Sequence, residues 1–425
     1  QELVQFEMTD WDFLLTRIEA NGGVVSVEDG KINALAPAIG EEALEVQYGA
    51  SIEEFDAEMD ARWQHTSVTA YSWDYAAGEA IEAAATEPEL EEAGNLQIST
   101  LSEVIGLESY NLYHTGQVVQ EELQAWADAK LLKTRLSKIR GRVKFQGFAA
   151  LKPSDTLLLT GVGERMSGKV YVSGVRHELS NGSWYTDAQF GLKPEFFSKE
   201  NSLHPSKAGG LLAAVNGLQI GVVTQLEEDP TGEERIKVKL PIISAEEDGI
   251  WARVASFDAG AEGRGAFFRP EVEDEVIVGF LNDDPRDPIV LGMLYSSGKA
   301  APIVATAENN ESGIFTKGKM KFVLNDEAKS IAMETESGNS LLISEEEGGI
   351  ILKDENGNQI SLNSSGITIE SAGTLSLAAS SGDVKIEGIN IEQAAQAQFK
   401  AEGAAGLEVS SSAVAVLKGA LVQIN

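Results

Sequence analysis

Residues 359–386 read QISLNSSGITIESAGTLSLAASSGDVKI, and in them apolar residues come in pairs one residue apart: Ile360 and Leu362, Ile367 and Ile369, Leu375 and Leu377, Val384 and Ile386. One residue separates the members of each pair, so both side chains fall on the same face of a strand. Successive pairs start 7, 8 and 9 residues apart (360 to 367 to 375 to 384), with Gly, Ser, Asn or Asp between them. The pattern returns at Leu407 and Val409, Val414 and Val416, and Val422 and Ile424. From Ile303 to Asn425 there is no Pro, Trp, Tyr, His or Arg, and Phe315, Phe322 and Phe399 are the only aromatics. Each unit is a short strand, a turn and another short strand.

Burying one such aliphatic side chain is worth roughly 1.5–3 kcal/mol, yet a lone chain winding this way has too little to bury them against. A single-chain hexapeptide β-helix needs a strict six-residue period, and the calcium-binding nonapeptide needs GGxGxD; both are missing. Three identical chains around one axis would turn every apolar alternate inward. The expectation for residues 313–425 is therefore an intertwined trimeric β-helix or β-prism. Its core would comprise Ile360, Leu362, Ile367, Ile369, Leu375, Leu377, Val384, Ile386, Val414 and Val416.

Upstream the chain changes character. Residues 1–197 read as an α+β segment. Thr9 or Asp10 caps a helix through DWDFLLTRIEANGG, with Trp11, Leu14, Leu15 and Ile18 on one face and Gly22 at its end. Strands VVSV and INAL follow. In SIEEFDAEMDAR, Ser51 stands three residues before Glu54, a capping box that predicts a helix, and a longer helix is expected from about Val118 to Lys138. RVKFQGF, DTLLLTGV, KVYVSGVRHEL and WYTDAQFGL then predict an antiparallel barrel or meander. Residues 198–212 read as a linker. Residues 213–298 hold five short strands, the signature of a small OB-fold-like barrel, and residues 299–312 form a second linker.

Charge narrows the function. The 425 residues carry 67 acids against 33 bases, a net charge of -34, which repels phosphate backbones and anionic lipid and argues against a nucleic-acid binder. A trimer would carry 3 × -34 = -102. The one cationic stretch, Lys130, Lys133, Arg135, Lys138, Arg140, Arg142 and Lys144, reads first as internal charge pairing and second as a docking site for an acidic neighbour. Cysteine is absent and the histidines are His65, His114, His177 and His204, so no cofactor or metal centre is expected. GERMSGKV (Gly163–Val170) falls one residue short of a phosphate-binding loop, since Val170 stands where Ser or Thr is needed; a hairpin turn is the better reading. Asp283, Asp284 and Asp287 lie beside Pro285 and Pro288 and read as a tight turn, and His177 and Glu178 point to opposite faces of a strand.

The order of an α+β hub, an OB-like barrel and a repetitive β shaft resembles the central spike of contractile injection systems. This is the valine-glycine repeat protein G family, similar to the fused hub and needle of contractile phage tails. The resemblance rests on FEMTDWDFLLTRIEANGGVV (Phe6–Val25), LKPSDTLLLTGVGERMSGKVYVSGVRHEL (Leu151–Leu179) and GRGAFFRPEVEDEVIVGFLNDDPRDPIVLGMLY (Gly263–Tyr295). It implies a homotrimer, assembled in the bacterial cytoplasm into a tail-like particle, whose hub docks on inner-tube and baseplate proteins and whose needle passes through the target membrane. It also implies that the hub lacks its N-terminal part. Relatives can carry a lysozyme or toxin domain; neither fits this sequence, and no enzyme is expected. A trimeric fibre or adhesin with a binding end, and a polysaccharide-active enzyme on a β-helix, are the competing readings. The strand LVQIN would present Leu421, Val422, Ile424 and Asn425 to a conical proline-alanine-alanine-arginine (PAAR) repeat tip protein.

Overall fold

Thr9 starts the first helix, α1 (Asp10–Ala20), by accepting the amide N–H of Asp12 at 3.1 Å. The structure, a computed structural model, describes residues 3–106, 108–201, 203, 205–241 and 248–424. It is mainly β and divides into two units, residues 1–294 and 295–425.

In the first unit a hairpin of β1 (Val24–Glu28) and β2 (Lys31–Leu35) turns at Asp29 and Gly30, both with positive φ. The strands that follow are β3 (Glu42–Gln47), β4 (Ile52–Met59), β5 (Ser67–Asp74) and β6 (Glu79–Ala84). Helix α2 (Ile98–Ile105), β7 (Ser109–His114), α3 (Gln120–Leu136), β8 (Ile139–Gln146), β9 (Thr156–Thr160), β10 (Gly168–Ser180) and β11 (Ser183–Phe190) complete the hub. Six strands form one sheet in the order β3-β9-β10-β11-β8-β4 around Val143, Phe145, Leu157, Leu159, Val172, Ala188 and Phe190. The other three form the sheet β6-β5-β7, whose Val68, Ala70 and Leu112 pack on Leu123, Ala127 and Leu131 of α3.

The helix expected from Ser51 and Glu54 is a strand. β4 runs antiparallel to β8, and its acids face cations there: Glu54 pairs with Lys144 and Glu58 with Arg140. Alternating Phe55, Ala57 and Met59 also packs on the sheet core. Local capping chemistry is worth about 1 kcal/mol and yields to that cross-strand pairing and burial.

Gly191, with φ 76°, lets the chain turn from β11 so that the next amide, that of Leu192, donates to the carbonyl of Leu136 at 3.0 Å. A β-carbon there would lie 2.4 Å from the backbone oxygen of Ile139. Gly191→Ala is therefore expected to cost at least about 2 kcal/mol, read as a lower urea midpoint for the hub.

The segment expected to link hub and barrel, 198–212, is anchored on both sides: Lys199 donates to the Tyr110 hydroxyl at 3.2 Å, and Lys207 pairs with Asp283 at 2.8 Å. Next comes a closed barrel of β12 (Gln219–Gln225), β13 (Ile236–Lys239), β14 (Ile250–Val254), β15 (Glu275–Phe280) and β16 (Pro288–Met293), in the order β12-β13-β14-β16-β15. Val223, Ile236, Val238, Ala252, Val276, Val278 and Val290 fill it.

The second unit contains a seven-stranded antiparallel meander: β17 (Glu311–Phe315), β18 (Lys321–Asn325), β19 (Ser330–Glu334), β20 (Ser340–Ser344), β21 (Gly349–Lys353), β22 (Gln359–Asn363) and β23 (Gly366–Glu370). From 371 to 424 the described residues form no strand paired within the chain, and all are exposed.

Candidate assembly face and paired cation cluster

Every strand of the meander is five residues long, so its second and fourth positions share a face. The cross-strand register aligns them into two continuous columns. One runs Ile314, Phe322, Met333, Leu341, Leu352, Ile360, Ile369, and the other runs Ser312, Leu324, Ile331, Ile343, Ile350, Leu362, Ile367. Seven strands supply fourteen positions, and only Ser312 is polar. The opposite face is mixed: its central column runs Gly313, Val323, Ala332, Leu342, Ile351, Ser361, Thr368, and Lys321, Glu334, Lys353 and Glu370 stand at the strand ends.

Among the described residues of the second unit, only 371–375 border the apolar face, and they leave it open. Ile360 and Leu362 are each 36% exposed, Ile369 49% and Ile367 69%. An open groove of about 1150 Å³ runs along it, lined by Ile314, Met333, Leu352, Ile369 and Leu375. Leu375, Leu377, Val384, Ile386, Val414 and Val416 are all more than half exposed. The structure thus brings four expected core residues, Ile360, Leu362, Ile367 and Ile369, onto one sheet face and leaves the other six on unpaired chain. Leu421, Val422 and Ile424 are likewise exposed, while Asn425 lies outside the described residues. The core expected from sequence began at Ile360, although the same one-apart pairing was readable at Phe322 and Leu324, Ile331 and Met333, Leu341 and Ile343, and Ile350 and Leu352.

The cationic stretch is paired internally at every residue. Lys130 meets Glu195, Lys133 meets Glu19, Arg135 meets Glu87, and Lys138 meets Glu92. Arg140 reaches Glu58 and Asp60, Arg142 reaches Glu54 and Asp187, and Lys144 reaches Glu54 and Glu178. Residues of α3 and β8, with Lys138 between them, thereby draw carboxylates from α1, from β4 and the residue after it, from the chain after β6, from β10, from β11 and from the chain after β11, so every cation of the stretch is paired within the chain.

The remaining chemical candidates are turns. The amides of Met166 and Ser167 both donate to the Gly163 carbonyl, and β10 rather than a helix follows. Asp284 is buried against the Arg286 guanidinium, whose hydrogen bonds hold its carboxyl below the ordinary range. His177 bonds Thr186 at 3.1 Å while Glu178 pairs with Lys144, and His204 lies outside the described residues. Among the described residues, no helix is long and apolar enough to cross a membrane.

Asp229 closes the loop between β12 and β13. It accepts from the Arg235 guanidinium at 2.6 Å and from the amides of Thr231, Glu233 and Arg235. The Arg235 side chain, then those amides, hold its carboxyl far below the ordinary value of 3.8. A carboxyl lowered on folding stabilises above its ordinary value and loses that contribution as pH falls through the lowered one. The barrel should unfold at progressively lower temperature as pH falls below about 3.8, and Asp229→Asn should be less stable at neutral pH with a flatter acid slope.

Three family models match the chain in sequence. The Alg8 N-terminal domain covers residues 1–181, the type VI secretion system/phage-baseplate injector OB domain covers 219–295, and the phage baseplate V C-terminal trimerisation domain covers 330–425. The type VI secretion system spike protein VgrG3 of Vibrio cholerae is 40% identical over 17% of this chain and 8% of its own length. VgrG1b of Pseudomonas aeruginosa is 27% identical over 48% of this chain and 29% of its own. The chain therefore spans less than a third of either relative. Among solved structures, a tail protein from Neisseria meningitidis aligns over 45% of this chain and 57% of its own at 13% identity and TM-score 0.33. The Francisella PdpA-VgrG complex aligns over 82% and 56% at 9% identity and TM-score 0.24. The injector OB domain is thus matched over a closed five-stranded barrel and the trimerisation domain over β19–β23 and the unpaired tail, and in sequence the chain resembles the VgrG spike proteins of type VI secretion systems.

Proposed function

We propose that the chain is one third of a homotrimeric spike, with residues 1–197 as the hub that seats on inner-tube and baseplate proteins and residues 313–425 as the needle that pierces the target envelope. The observation that carries this reading is the apolar face of β17–β23 followed by a tail whose apolar alternates have no partner. A single sheet layer whose one face is apolar at all but one position is not stable facing water. Three copies, each face turned to a common axis, enclose it. Along the tail, strands from the other two chains supply both the hydrogen bonds and the walls that one chain lacks.

In this reading penetration is mechanical. A dry aliphatic interior without proline interruption resists bending and local opening, the property a needle needs. The particle is assembled in the bacterial cytoplasm, and the spike crosses the target membrane only in passing. Light scattering of the purified protein should give three chains, and a folded monomer would overturn the proposal. Peptidoglycan hydrolysis lost on a point mutation would overturn its mechanical part.

The exposed terminal segment Leu421–Ile424 is assigned to the PAAR-repeat tip protein, with Leu421, Val422, Ile424 and Asn425 as its contacts. Deleting Leu421–Asn425, or changing Val422 and Ile424 to Lys, is expected to abolish co-purification of the tip protein while the trimer stays folded. Unchanged capture by that trimer would move the docking site elsewhere.

A further inference from the structure

The apolar columns of the second unit do not fix their own alignment between chains. β18, β20 and β22 begin at Lys321, Ser340 and Gln359, 19 residues apart each time, and β19 and β21 begin at Ser330 and Gly349, again 19 apart. A chain displaced by one such repeat against its neighbours sets Phe322 level with Leu341, Met333 with Leu352 and Ile343 with Leu362, apolar against apolar. Where the pattern does not tell one alignment from the next, register is weakly specified. In a homotrimer, the reading on which this inference rests, the alignment of the three shafts has to be set elsewhere.

Between β14 and β15 the barrel carries a long connection that opens with a braced hairpin, residues 256–268. The Ala266 amide donates to the Asp258 carbonyl at 2.9 Å and the Gly260 amide to the Arg264 carbonyl at 2.8 Å. The Ser256 hydroxyl reaches the carbonyls of Asp258 and Ala266, and Arg264 pairs with Asp258. At its foot, Arg269 donates to the carbonyls of Leu226 and Glu234, each at 3.1 Å. So ordered, the hairpin holds three phenylalanines in water: Phe257 is 83% exposed, Phe267 79% and Phe268 51%. Phe257 and Phe268 stack at 6.0 Å, whereas Phe267 lies 5.2 Å from the Arg269 guanidinium, so each hairpin offers rings at two places. A group of exposed rings on a braced support marks a contact surface.

Strand direction says which partner fits it. β14 and β16 are parallel and β15 runs against both, so the hairpin rises at the end of the barrel where β16 finishes at Met293 and the chain runs on to the second unit. Three chains that join in one shaft bring these exits toward a common axis, and the three hairpins with them. We propose that hairpin 256–268 is a clasp between copies of this chain. Around the axis the Phe257 and Phe268 pair of each barrel seats against Phe267 of the next, a head-to-tail contact that three copies close into a ring, and the ring fixes the alignment in which the shafts begin. The columns of the shaft supply adhesion, and the clasp supplies register.

The chain has no native cysteine, so single introduced sites report cleanly. In the full chain, Ala261→Cys at the exposed hairpin tip should be linked between chains by a short bis-maleimide while light scattering reports three chains. A trimer whose Ala261→Cys chains stay unlinked would overturn the clasp and leave the homotrimer standing, whereas a protein of single chains would overturn the homotrimer itself. Register is read by electron–electron distances from a spin label at Thr368→Cys, on the mixed face of β23. Aligned shafts place the three labels at one distance; a slip of one repeat moves a label along the shaft by two strand spacings, about 10 Å, and adds a longer one. Phe257→Ser combined with Phe268→Ser, and separately Phe267→Ser, should keep the trimer and add that longer distance. A single unchanged distance in both variants, or loss of the trimer in them, would overturn the assignment of register to the hairpin.

Discussion

Leu341→Asp is expected to convert the assembled protein to single chains. Leu341 lies in β20, the central strand of the seven, between Met333 and Leu352 in the longer apolar column. With three faces around one axis, the substitution removes three aliphatic side chains, each worth about 1.5–3 kcal/mol when buried, and puts three carboxylates where water is excluded. Each carboxylate adds several kcal/mol of desolvation, and the mutual repulsion adds more. No single-site repacking can absorb a loss of that size. Ile369→Asp and Ile386→Asp should block needle assembly for the same reason, the first within the sheet and the second in the tail. Thr368→Asp, on the mixed face of β23, tests the direction: it should leave the trimer intact. Light scattering distinguishes the cases, and a trimeric Leu341→Asp protein would mean that this face does not look inward.

What was legible in the sequence is what short-range periodicity encodes. The one-apart apolar pairs after Ile360 announced an uncovered strand face, and the five barrel strands could be placed from alternation and the turns between them. The stretch 51–62 was misread because Ser51 and Glu54 satisfy a helix cap, whereas β4 is decided by Lys144, Arg142 and Arg140, about 90 residues away. The division of the shaft was also hidden. Apolar pairs before and after Ser371 look alike, yet only the earlier ones find partners within their own chain. The pairing of each cation from Lys130 to Lys144 could be anticipated as a class from the excess of acids, but its partners, drawn from Glu19 to Glu195, could not.

Lys130 separates charge from packing in the hub, and its two replacements should behave oppositely. The side chain is fully buried, its Nζ lies 4.9–5.7 Å from the ring centres of Tyr110, Trp63 and Phe196, and it donates to the Pro194 carbonyl at 2.8 Å. Burial holds the ammonium below its ordinary value, only partly offset by Glu195. Removing the side chain as Lys130→Ala opens a cavity among three rings and leaves the Pro194 carbonyl without its donor, a loss of about 3–4 kcal/mol by analogy with large-to-small core changes. Lys130→Met keeps the length and places a thioether among aromatic rings. Glu195, a quarter exposed, can turn its carboxylate to water. Replacing a buried charge by a hydrophobe of similar shape is often neutral or stabilising, so the Met variant should fall within about 1 kcal/mol of wild type. Urea unfolding of the two variants measures the difference. If Met were as costly as Ala, the cation itself, held over the three rings, would be the feature that ties α3 to the chain after β11.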